Sequence, residues 1–190
     1  MNPLELSDII PIAEYDKTRD PRRKVAMALR ARRLVQLGDK LALHFENRET
    51  LIYQVQEMMR VENMTSIDAV LGELEIYNGM VPAQGELSAT LFIQLTSDAD
   101  LRKWLPIFTA LEGNLWLKIG ADKIRAEFEP GRTRADKTAS VHYIRFKLSA
   151  AQQKALPAQP AEFLCTLKEY SVSAPMSEAL RKEFAAEIAS

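Results

Sequence analysis

The sequence predicts an α+β domain: a mainly antiparallel sheet of about seven strands with its helices clustered on one side. Two patterns predict it. Runs such as Leu87, Ala89, Leu91 and Ile93 alternate with Ser88, Thr90 and Phe92, the period of a strand with one covered face. Some neighbouring runs are joined directly by glycine-containing or charged turns, and the helices fall between others in clusters, whereas a parallel sheet needs a crossover after nearly every strand. The 190 residues, 47% hydrophobic and 27% charged, suffice for one domain with its own core. The expected organisation is a single domain over 1–190, with an extended segment at 1–19, the core at 20–170 and a C-terminal helix at 171–190.

Asp20-Pro21 reads as a helix start, a capping carboxylate ahead of proline at the first helical position, with strong helix formers following to about Arg33. Residues 33–37 and 40–46 form a β-hairpin around Gly38-Asp39, a pair suited to a two-residue type II′ turn. In the second strand Leu41, Leu43 and Phe45 take one face, and Ala42, His44 and Glu46 the other. Asn47 caps an amphipathic helix carrying Leu51, Ile52, Val55, Met58 and Met59. Thr65-Ser66-Ile67-Asp68 opens a second helix that stops near Asn78-Gly79. After a strand at 87–95, Ser97 to Asp100 caps a helix reaching about Leu111. Residues 115–119 and 124–129 pair around Gly120-Ala121-Asp122, and a charged loop follows Pro130-Gly131. A strand at 141–148, a short helix capped by Ser149 and stopped by Pro157, a last strand at 163–170 and a helix after Pro175 complete the chain.

With 25 basic and 26 acidic residues the formal net charge is -1, so no whole-molecule field favours a polyanion or a membrane surface. The lone cysteine, Cys165, excludes an intramolecular disulfide or a multi-cysteine metal site built by this chain, and it points to a reducing compartment. Between Phe163 and Leu167 it reads as a small core residue. The first twenty residues lack the basic-then-apolar pattern of a secretory leader, and no run approaches a membrane span. A cytoplasmic protein without a membrane partner is expected. No Gly-rich phosphate loop, His-Glu-x-x-His, EF-hand loop or Gly-x-Ser-x-Gly elbow occurs, and neither a cofactor nor a metal is expected.

The scarce acid–base chemistry lies in two histidines. His142 shares a strand face with Ile144, Phe146 and Leu148, as a buried histidine or a catalytic one. His44 and Glu46 share a face roughly 7 Å apart, as part of a half-exposed sheet or, though one histidine and one carboxylate are few for a site, as metal ligands or an acid–base pair. Glu46, Asn47, Arg48, Tyr53, Glu57 and Arg60 gather polar side chains around a helix N-terminus, where an anion could dock beside Arg48; capping by Asn47 and solvent-facing ion pairs is the plain alternative. Ser88 and Thr90 put hydroxyls on one strand face with no base beside them. Arg132 and Arg145 are further contributors, and the charged loop 129–137 is either an anion clamp or simply hydrated. Arg19, Arg22, Arg23, Lys24, Arg30, Arg32 and Arg33 make the first helix basic, a stripe for nucleic-acid phosphates or a solvated face; the missing aromatics weigh against the former.

At Phe45-Glu46-Asn47-Arg48, Tyr53-Gln54-Val55-Gln56-Glu57-Met58, Glu75-Ile76-Tyr77-Asn78, Gly85-Glu86-Leu87-Ser88-Ala89-Thr90-Leu91-Phe92 and Val141-His142-Tyr143-Ile144-Arg145-Phe146, the chain resembles the bacterial domain-of-unknown-function family 3501. These blocks stand in order across most of residues 5–170. The resemblance carries no catalytic residues over. It implies a setting, because genes of that family often sit beside a rubrerythrin-like di-iron protein and an iron–sulfur oxidoreductase of the heterodisulfide-reductase type, which suggests peroxide or redox-stress physiology. This chain lacks the cysteines and Glu-x-x-His repeats such neighbours use.

The leading expectation is therefore a non-redox accessory or binding protein of bacterial oxidative-stress physiology. Its expected partners are the rubrerythrin-like protein, the iron–sulfur oxidoreductase or a small anionic ligand; a homo-oligomer is also open. The rival is an enzyme on a small anionic substrate, with His142 or Glu57 as acid–base group and Arg48 or Arg132 as clamp. Nucleic-acid binding through the first helix is the weakest reading.

Overall fold

The computed structural model describes residues 1–134 and 138–189. Ala135, Asp136 and Lys137 of the charged loop lie outside the described residues. Two antiparallel sheets form the body. One has the order β1 (Leu34–Leu37), β2 (Leu41–Glu46), β3 (Glu86–Ile93), β7 (Val141–Lys147) and β6 (Glu127–Phe128). The other runs β5 (Asp122–Arg125), β4 (Leu115–Ile119), β8 (Ala161–Leu167) and β9 (Tyr170–Pro175). The helices are α1 (Ile12–Arg32), α2 (Arg48–Val61), α3 (Ile67–Asn78), α4 (Asp98–Phe108), α5 (Ala150–Ala155) and α6 (Glu178–Ala189). This is the α+β class and antiparallel pairing that the alternation predicts.

Strands in two layers arise because the chain turns a corner at Ala126. Residues 122–125 pair with β4, and beyond Ala126 residues 127–128 pair with β7 of the other sheet. At the opposite corner the Tyr170 hydroxyl donates to the Leu37 carbonyl at 2.9 Å and accepts from the Lys40 N–H at 2.8 Å. Gly38, at φ 70°, is needed there because a Cβ would collide with that hydroxyl.

Inward-facing residues of both sheets form the main core, and α6 joins it through Leu180, Phe184 and Ile188. At its centre the Phe45 ring lies 5.0 Å from Phe163, 4.8 Å from Phe184 and 6.5 Å from Phe146 between centroids. A smaller cluster, Leu51, Val55, Met59, Val70 and Leu74 with Leu4, packs α2 and α3 together.

Four elements differ from expectation, each for a non-local reason. The first helix starts at Ile12, not at Asp20-Pro21, and Pro21 sits inside it. Buried Tyr15 anchors the early turns by donating to Glu57 at 2.6 Å, which outweighs the backbone bond that proline removes. Hence 1–19 is a 3-10 turn at Leu6–Asp8 and the start of α1, not an extended segment. The hairpin loop holds three residues, not two, since Leu37 pairs with Leu41. The last strand is a hairpin, β8 and β9, because the serine-diluted run Ser171-Val172-Ser173-Ala174 pairs along its whole length with β8. Among the described residues no helix is long and apolar enough to cross a membrane.

Candidate functional site

The side of the five-stranded sheet away from the core is polar. Register aligns Glu46, Ser88, Arg145 and Glu127 in one cross-strand row and His44, Thr90 and Tyr143 in the next. Neighbours in such a row stand roughly 5 Å apart. Side chains of α2 and α3 meet this face: Gln54 reaches Glu46, and Ile76 shares a cleft with Tyr143 and Arg145.

Glu46 is 3% exposed. Its carboxylate accepts from Thr50 Oγ1 at 2.6 Å, Gln54 Nε2 at 3.0 Å and Thr90 Oγ1 at 2.9 Å, all neutral donors. Asn47 caps α2 by accepting from the Thr50 N–H at 3.0 Å, and its amide donates to Glu187 at 2.8 Å. Arg33 is corrected from surface stripe to core: 1% exposed, it donates to Glu183 at 2.7 Å, to both oxygens of Glu187 at 2.7 and 2.9 Å, and to the carbonyls of Phe45 and Glu46 at 3.0 and 3.2 Å. Its guanidinium also covers the Phe184 ring at 5.2 Å. Five donated bonds to acceptors on β2 and α6 bolt the C-terminal helix to the sheet and fix the backbone under Glu46.

The rest of the polar stripe has partners elsewhere in the fold, although Arg48 and Arg60 each keep a buried Nε–H without a hydrogen-bond partner among the described residues. Arg48 pairs with Asp8 of the N-terminal 3-10 turn. Burial opposes ionisation of Asp8, but that guanidinium and the Glu5 N–H outweigh it and hold the carboxyl below its ordinary range. Glu57 takes both Nε and Nη2 of Arg19, at 2.9 and 2.8 Å, with Tyr15, and Arg60 stands 4.0 Å away. The Arg19 hydrogen bond holds the Glu57 pKa low against burial, so Glu57 is an ionised staple between α1 and α2. Tyr53 is half-buried, and burial pushes its phenol up.

His142 points into the space between the sheets, 1% exposed, with Nε2 2.8 Å from Thr138 Oγ1 and 2.9 Å from the Ala139 carbonyl oxygen. Burial lowers its pKa. It faces the opposite side of β7 from Tyr143 and Arg145. Thr138 and Ala139, the partners of its Nε2, line a cavity together with Arg132.

Arg132 and Arg145 do converge. They line a cleft of about 400 Å³ on the outer face, with Ser88, Tyr143, Ile76 and Met80. Arg145 is braced by Glu86 at 2.6 Å and by the Gly79 carbonyl. Arg132 gives its Nε–H to Glu129 and lies 4.4 Å over the Tyr143 ring, which leaves its two terminal nitrogens without a partner among the described residues. Ser88, 4% exposed, has no hydrogen-bond partner for its hydroxyl among the described residues, nor has the Tyr143 hydroxyl. The Tyr77 hydroxyl and the His44 ring nitrogens are unpartnered in the same sense. Burial first, then Glu73, pushes the Tyr77 phenol up; burial first, then Arg30, lowers His44, which packs edge-on against Phe92 at 5.5 Å. Sequence reasoning placed Ser88 on a polar strand face but not in a cleft, and it passed over Tyr77 and Tyr143 because their rows depend on register.

Fold and site together define an α+β two-sheet domain with a polar cleft on the outer side of one sheet. A family model described as protein of unknown function (DUF3501) matches residues 3–188, and the chain belongs to that family. It is similar to a solved structure described as a novel protein of unknown function from Burkholderia pseudomallei K96243, with 27% identity and a TM-score of 0.91, over 98% of this chain and 100% of that one. No curated protein matches.

Proposed function

We propose that this chain is a non-redox binding protein that holds a small ligand in the cleft beside Ser88, Arg132, Tyr143 and Arg145, and that it serves as an accessory in bacterial peroxide and redox-stress physiology. The observation that carries the binding role is the open guanidinium edge of Arg132, which borders a cleft also lined by Ser88, Tyr143 and Arg145. The contrast with Glu46, Asn47 and Glu57, whose polar atoms are occupied within the fold, supports the cleft as the site. Support for a non-redox role is that Cys165 is 1% exposed and burial pushes its thiol up, the opposite of a reactive thiolate. The stress setting rests on the family's gene neighbours, the rubrerythrin-like and iron–sulfur proteins.

In the native host, Arg132→Ala with Tyr143→Phe is expected to lower peroxide tolerance at unchanged protein level, and a low-salt pull-down to recover the rubrerythrin-like protein or the iron–sulfur oxidoreductase. Unchanged tolerance together with recovery of neither rejects the reading.

A further inference from the structure

We propose that the cleft selects a monoanionic amphiphile, a carboxylate head on a short aliphatic or aryl body; this rests on the cleft being the binding site. Charge decides the head group. Three cations around the cleft are each matched by a carboxylate: Arg132 by Glu129, Arg145 by Glu86 at 2.6 Å, and Lys147 by Glu127 at 2.6 Å. With these pairs balanced there is no surplus positive charge for a second negative charge to meet, and the open edge of Arg132 is a single fork. A cationic head would meet carboxylates already paired, and it would face the open edge of Arg132.

A carboxylate fits what is unpartnered. Its two oxygens offer about four acceptor sites. The terminal N–H groups of Arg132 make a fork suited to one edge, stacked in place by Tyr143 at 4.4 Å, and the hydroxyls of Ser88 and Tyr143 can donate to the remainder. The apolar body follows from the opposite wall, where Ile76 is 63% exposed beside Met80. A volume near 400 Å³ is at the lower end of small-molecule pockets, so the body is short.

The test titrates the purified full chain, with labelled Ile and Met methyl groups, against hexanoate, 1-hexanol, hexylamine and hexyl phosphate. Hexanoate is expected to saturate with shifts centred on Ile76 and Met80, and 1-hexanol and hexylamine to bind about tenfold or more weaker, as does hexanoate itself to Arg132→Ala. Arg132→Lys, which keeps the charge and loses the fork, should fall between. Ser88→Ala should weaken hexanoate without unfolding the chain. Equal binding of 1-hexanol or hexylamine, tighter binding of hexyl phosphate, or shifts from none of the four overturns the carboxylate assignment. The site itself is judged separately, by peroxide tolerance of the Arg132→Ala and Tyr143→Phe host.

Discussion

The two faces of the five-stranded sheet come from the same strands and follow opposite rules. Inward, Phe45, Leu87, Leu91, Ile144 and Phe146 meet apolar side chains from the second sheet and α6, and even His142 has its ring nitrogen bonded. Outward, Glu46 is buried against neutral donors while Ser88, Tyr143 and Tyr77 keep hydroxyls with no partner among the described residues. Those hydroxyls are not sealed from solvent, so they are open to a ligand. The inner face stabilises the fold, and the outer face offers a surface that can bind.

That contrast can be broken from its strong side first. Phe45→Ala empties the centre of the aromatic cluster and is expected to lower the unfolding free energy by about 3–5 kcal/mol in urea denaturation. Arg33→Ala removes a 1% exposed cation and its five bonds to Glu183, Glu187 and two carbonyls, for a loss of about 3 kcal/mol or more. Hydrogen exchange should show α6 losing protection ahead of the sheets. A loss confined to a few tenths would mean that the network is ornamental.

The pH response is weaker, and it separates elements. Both histidines have pKa values lowered by burial, so below about pH 6.5 the unfolded chain takes up protons that the folded chain resists, and stability falls. Glu57, whose pKa Arg19 holds low, stabilises the fold above about pH 4.3, and that contribution is lost as pH falls through its folded value. Urea midpoints should therefore drop in two stages on acidification, and Glu57→Gln should shrink the lower one, leaving the part that Asp8 contributes. A lower stage unchanged by this substitution would assign it to other carboxylates.

What was legible in the sequence follows the range of the interactions. Alternation put Leu43 and Phe45 against His44 and Glu46, and Leu87 to Ile93 against Ser88 and Thr90, because the strand period is written in adjacent residues. Asn47 as a cap was readable for the same reason. The partner of a long side chain was not. Arg48 finds Asp8 forty residues earlier and Arg33 finds Glu187 near the other end of the chain. Arg132 and Arg145 were named as contributors, but their meeting around Tyr143 depends on the β6–β7 pairing and on where α3 ends. The strand β9 was hidden by Ser171 and Ser173, and the two-sheet arrangement by a corner at a single alanine.

The smallest expected effect is the most telling. Ser88→Ala combined with Tyr143→Phe removes two hydroxyls and nothing else from the outer face, and its unfolding free energy without added ligand compares the two faces directly. Hydroxyls that serve only binding predict a variant within about 0.5 kcal/mol of the parent or more stable. A loss above about 1 kcal/mol would contradict the account, because it would show that the fold already uses these groups.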